Sequence, residues 1–128
     1  MDKDLLQALK TCGTDLGGVS RRFAGNETLY VACLDAFLKD QTLEELKEAI
    51  TNEAWGEAFT AAHALKGLAG NMGFVPLFHS TGELVMLIRV GRISEIGEEF
   101  HKVDRYYKEI VNAISVCDAL TTTKVGKE

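Results

Sequence analysis

The chain is poor in the residues that interrupt helices and in those that build covalent or metal cross-links. It has a single proline, and apolar residues return every three or four positions, which argues against a β-rich or loop-rich fold. Cys12, Cys33 and Cys117 are far apart and odd in number, with no Cys-x-x-Cys pair, so neither a zinc site nor a redox dithiol is suggested. An odd count without a disulfide framework fits a reducing compartment. His79 and His101 belong to no H-x-x-x-H or H-E-x-x-H spacing, which leaves no metal site in view and makes both read as surface or boundary histidines. The fully apolar runs are only a few residues long, far short of a membrane span. The start, Met1-Asp2-Lys3-Asp4, lacks the basic segment and apolar run of a signal peptide. Basic charge is also scarce: a net charge of −5 argues against a non-specific nucleic-acid binder. No G-x-x-x-x-G-K-[ST] loop and no kinase signature set is present, so no ATP site is expected. The expectation is a cytoplasmic protein without membrane or nucleic-acid partners, and not an enzyme of its own.

What is present is ordinary globular composition, 46% hydrophobic and 26% charged, in a chain long enough for one core. Residues 1–120 read as a single domain and the polar stretch 121–128 as a frayed tail. The start at Met1 favours a free-standing protein, with a module of a larger hybrid kinase as the variant. Helical patterns follow one another with short breaks. A first piece spans about Asp4–Lys10. Thr14 or Asp15 can cap a second reaching Phe23, weakened by Gly17-Gly18. Asn26 can cap a third, from Glu27 to about Asp40, with Tyr30, Leu34, Phe37 and Leu38 inward. Thr42-Leu43-Glu44-Glu45 has capping-box spacing and opens a helix to about Ile50, with Leu43, Leu46 and Ile50 inward. Asn52 is expected to cap the next helix, from Glu53 to Asn71, which Gly73 can close in the left-handed conformation. Pro76 suits the first turn of a helix that stops at Gly91. A last helix runs from Ile93 to about Val116, with Ile96, Phe100, Val103, Tyr107, Ile110 and Ile114 on one stripe. Four long amphipathic helices on short connections predict an all-α, antiparallel up-down four-helix bundle, with the short N-terminal helices across one end as a lid.

One helix is unusual. At about 100° per residue, Ala58, Ala61, Ala62, Leu65, Ala69 and Met72 fall on one side. His63 falls roughly opposite, with Gly67 and Gly70 to either side and Lys66 one turn ahead. Glycine inside a helix costs about 1 kcal/mol relative to alanine, so this strip gives up stability for close access to an imidazole. Gly70 reads equally as a helix-packing glycine. Trp55 and Phe59, one turn apart, read either as packing under the lid or as an apolar contact surface beside His63.

His63, Lys66, Gly67 and Gly73, with Leu65 before the lysine, resemble the motif of the histidine-containing phosphotransfer family, the HPt modules of phosphorelays. Arg22-Phe23-Ala24-Gly25-Asn26-Glu27 with Leu29-Tyr30 also looks like the segment leading into that family's second helix, so the similarity extends from about Asp15 to about Ile114. The resemblance implies an exposed histidine that accepts a phosphoryl group from a receiver's aspartyl phosphate and passes it to another receiver's aspartate. It implies receiver domains of response regulators and a hybrid histidine kinase as partners, no cofactor on this chain, and Mg2+ in the receiver's own acidic pocket. Nothing requires a dimer, and a monomer is expected. In several members of that family a glutamine or glutamate twelve residues after the last motif glycine lies near the histidine; here that position is Val85, so the ring is oriented by Glu83, a backbone carbonyl or water, or is held more loosely.

The residue types suit that chemistry. Histidine is the side chain most easily neutral near pH 7, and covalent capture splits one long transfer into two short ones. Phosphoryl transfer runs through a loose transition state, so positioning and cations carry the catalysis. Lys66 is the nearest candidate to screen the phosphoryl oxygens, the bland alternative being a solvated lysine. Gly67, Gly70 and Gly73 are the candidates for partner access, and Phe59 for receiver contact. A helical adaptor that binds receivers without being phosphorylated is the rival reading. A metal-dependent hydrolase would need a carboxylate–histidine constellation that is absent.

Overall fold

A computed structural model of the chain describes residues 1–117, so the expected tail at 121–128 lies outside the described residues. The described residues form seven α-helices: α1 (Lys3–Thr11), α2 (Leu16–Arg22), α3 (Glu27–Lys39), α4 (Thr42–Thr51), α5 (Trp55–Met72), α6 (Val75–Val90) and α7 (Ile93–Ser115). The described residues are all-α. The longer helices pack as chain neighbours, α4 on α5, α5 on α6 and α6 on α7, while α3 touches both α5 and α7. Of the two short N-terminal helices, α1 packs on α7 and α2 on α5.

Periodicity identified the buried stripes. Ala58, Ala61, Ala62, Leu65, Ala69 and Met72 of α5 are all buried, as are Ile96, Val103, Tyr107, Ile110 and Ile114 of α7. Phe100, Leu38 and Ile50, expected inward, are only partly buried at the edges of the core. Each fully buried Leu, Ile or Phe contributes about 1.5–3 kcal/mol. The alanine-rich face of α5 adds little area per residue, but it lets the neighbouring helices come close.

The helix ends show where local signals compete. Asp2, Asp15 and Asn26 cap α1, α2 and α3, each accepting a bond from a first-turn amide. Two expected caps do not form. Thr42 is the first residue of α4, not its cap, and the cap position Gln41 makes no side-chain bond. The Asp40 carboxylate reaches the Thr42 amide first, at 3.0 Å, because only Asp40 and Gln41 separate α3 from α4. Asn52 closes α4 where it was expected to open α5. The chain then passes through Glu53 in the left-handed region, φ 54°, and Ala54 N–H donates to Ala49 O at 2.8 Å. That pairing is a Schellman closure, and it delays α5 to Trp55. At the other end α5 closes as expected, with Gly73 at φ 78°, and Pro76 sits in the first turn of α6.

That α5–α6 turn is braced by α2 and α3. Asp15 N–H donates to Gly73 O at 2.8 Å, the Arg22 guanidinium to Asn71 O at 3.1 Å and the Tyr30 hydroxyl to Met72 O at 2.9 Å. Phe74 packs edge-on to Phe37 of α3, which in turn meets Tyr107 of α7. One end of α5 is thereby held by α2 and α3, and its middle is left bare on the side away from the core.

Candidate functional site

Because the alanine face of α5 turns inward, His63 is turned out and is exposed. Its ring has an aromatic neighbour: Phe59, one turn earlier, lies parallel to it at 3° with ring centroids 6.2 Å apart. The Arg89 guanidinium of α6 stands over the Phe59 ring, 5.7 Å from its centre. Among the described residues, no side chain or backbone group hydrogen-bonds the imidazole.

The glycines divide by role. A Cβ at Gly67 would meet nothing within 4 Å, so the surface one turn beyond His63 is open. A Cβ at Gly70 would stand 3.1 Å from the Phe78 ring, so an aromatic side chain of α6 sits against this glycine. Gly73 is buried, and a Cβ there would come within 2.6 Å of Val19. Its left-handed turn closes α5, and its contact with α2 leaves no room for a side chain.

Lys66 is partly buried and leans onto α6. Its ammonium lies 5.5 Å from the centre of the Phe78 ring, and its stem runs past Gly82. The lysine therefore packs along the α5–α6 seam, holding its charge on the face of an aromatic ring. Neither Gly82 nor Arg89 was singled out from the sequence. Both become visible only once α5 and α6 are set in register, because each is a partner of an α5 residue across the seam.

That register is regular and antiparallel. Phe59 meets Arg89, Lys66 meets Gly82 and Gly70 meets Phe78, each step up α5 matched by an equal step down α6. Carried to His63, it arrives at Val85. Val85 is buried and its side chain has no hydrogen-bonding atom. Phe59 and Trp55 are not under α2, which is held at the opposite end of α5 by Asn71 and Gly73. On the other flank of His63, α4 and α5 enclose an open cleft of about 660 Å³ whose walls include Glu45, Glu48, Glu57, Thr60 and Ala64.

A family model described as Hpt domain matches residues 38–114. The chain belongs to the Hpt domain family. The match covers more than half of the chain, takes in α4 to α7 and includes His63, Lys66 and Gly67; the Arg22–Glu27 segment lies outside it. No curated protein and no solved structure matches the chain. Hpt domains serve phosphotransfer in two-component signalling, interact with receiver domains of response regulators, and are phosphocarriers, not enzymes with an ATP site. Among the described residues of this Hpt protein, no helix is long and apolar enough to cross a membrane. No group of three His, Cys, Asp or Glu side chains among them could hold a metal ion.

Proposed function

We propose that His63 is the phospho-acceptor of a phosphorelay carrier, taking the group from a receiver's aspartyl phosphate and passing it to the aspartate of another receiver. The observation that carries the reading is the combination of an exposed imidazole with open space at Gly67 one turn on. In the first step a ring-nitrogen lone pair forms the N–P bond as the acyl O–P bond breaks, and the carboxylate leaves with its electron pair. The ring N–H proton is released to solvent. The reverse sequence delivers the group to the second receiver. Mg2+ belongs to the receiver's acidic pocket, so the charges this chain adds are few: Lys66, after swinging off Phe78, is the one on the same helix one turn from His63.

This reading takes residues 1–120 as one cytoplasmic, monomeric domain fed by a hybrid histidine kinase through its receiver. It takes α4 to α7 as the up-down four-helix bundle, supported by their packing in chain order and by the antiparallel α5–α6 register. The test is to incubate the protein with an aspartyl-phosphorylated receiver from its own genome, then add a second, unphosphorylated receiver. Label should appear on this chain and move on, and His63→Gln should take none. Tight receiver binding without label on the wild-type chain would make it an adaptor instead.

A further inference from the structure

We infer that Phe59 is a positioning residue for His63, and that Arg89 holds Phe59 in place. The inference rests on His63 being the acceptor. An imidazole has a broad, roughly two-fold torsion at χ2, so the helix backbone fixes where the ring is attached but not how its plane lies. A hydrogen bond to one ring nitrogen ordinarily fixes it. Here the position across the seam is Val85, and no described group bonds the ring. What the ring has is a parallel neighbour: Phe59 at 6.2 Å and 3°, inside the range of offset aromatic stacking. The two residues are one turn apart on α5, the spacing at which helix side chains meet.

Stacking suits an acceptor in a way a hydrogen bond does not. It constrains the plane through the face of the ring, while both nitrogens lie in the ring's edge and keep their lone pair and proton available. A phenyl on a helix surface is itself mobile, and the guanidinium of Arg89 over it, 5.7 Å from its centre, ties it to α6. Arg89, Phe59 and His63 thus form one continuous line of contacts from α6 to the reacting ring. This chain orients its histidine through an aromatic face, the residue across the seam being the apolar Val85.

The experiment uses phosphoramidate as donor, because a small donor makes no demands on a receiver-binding surface. The ring lone pair forms the N–P bond, the P–N bond of the donor breaks, ammonia leaves, and the ring proton goes to water. Phe59→Leu is expected to slow labelling of His63 about two- to tenfold, the range that loss of one aromatic pair allows, and Phe59→Tyr to restore it. With a phosphorylated receiver, Phe59→Leu should lower kcat and leave KM unchanged. The His63 ring-proton NMR signals should shift downfield in Phe59→Leu as the shielding of the stacked phenyl is lost. Arg89→Met, which leaves Phe59 in place, should shift the same signals by less, and serves if the leucine variant does not fold. Wild-type labelling rates and unmoved His63 signals in the folded variants would overturn the inference. A raised KM with unchanged kcat would make Phe59 a receiver contact and overturn it as well. A wild-type chain that takes no label from any receiver would instead overturn the acceptor reading.

Discussion

A Cβ added at Gly67 meets nothing within 4 Å, whereas one added at Gly70 meets the Phe78 ring at 3.1 Å. These two glycines are three residues apart on one helix and look alike in the sequence, since helical projection places both beside His63. Their difference depends on which residue of α6 lies opposite, and that follows from the register of two helices, not from the pattern of one. The outward position of His63 was legible because the alanines at 58, 61, 62 and 69 define the inner face without ambiguity. The direction of Lys66 was not: a flexible four-carbon side chain goes where it finds surface, and it finds Phe78 and Gly82. Gly67→Gln is therefore expected to leave the helix folded, with a stability change within about 1 kcal/mol because glutamine is the better helix former. It should suppress receiver-dependent labelling of His63 at least tenfold by crowding the approach. Circular dichroism and the transfer assay together check this, and a folded variant that is labelled normally would remove the access argument.

At the scale of the helices, most element cores agree with what periodicity predicts, and the disagreements sit at the ends. At two junctions, 40–42 and 52–54, a capping residue does not serve the helix end that its spacing predicts. Asp40 displaces Thr42 at the start of α4. Asn52 and Glu53 close α4 before they can open α5. Local propensity names the candidates, but the geometry of the turn chooses between them. That choice leaves Glu53 at φ 54°, where a non-glycine residue carries a steric penalty of about 1–2 kcal/mol. Glu53→Gly relieves it and gives back part of the gain as unfolded-chain entropy. The expected result is stabilisation by about 0.5–1 kcal/mol in urea unfolding, with phosphotransfer unchanged because Glu53 is ten residues before His63. Destabilisation would show that the left-handed turn is not what limits this junction.

Across the whole molecule, α3 ties the α5–α6 turn to α7 through two buried tyrosines. Tyr30 donates to Met72 O, and Tyr107 to Phe37 O at 3.3 Å. Burial, reinforced by the negative charges of Asp40 and Glu44, pushes the Tyr107 hydroxyl up to about 12 from its ordinary value near 10. The folded state then holds a proton that the unfolded state gives up earlier. Its stabilisation is complete below about pH 10 and is lost as pH rises through about 12. Stability should therefore fall over that window, with a shallower slope in Tyr107→Phe, as followed by thermal unfolding at stepped pH. An identical slope in both proteins would remove Tyr107 as the source. This bracing holds the C-terminal end of α5 rigid while leaving the middle of its outer face to a partner, and the account as a whole depends on one ring in that middle. The most direct measurement is to phosphorylate the protein from an aspartyl-phosphorylated receiver, digest it at alkaline pH and locate the modified side chain by mass spectrometry. The predicted result is an acid-labile, alkali-stable phosphoryl group on the peptide carrying His63; the group on a peptide carrying His79 or His101 would contradict it.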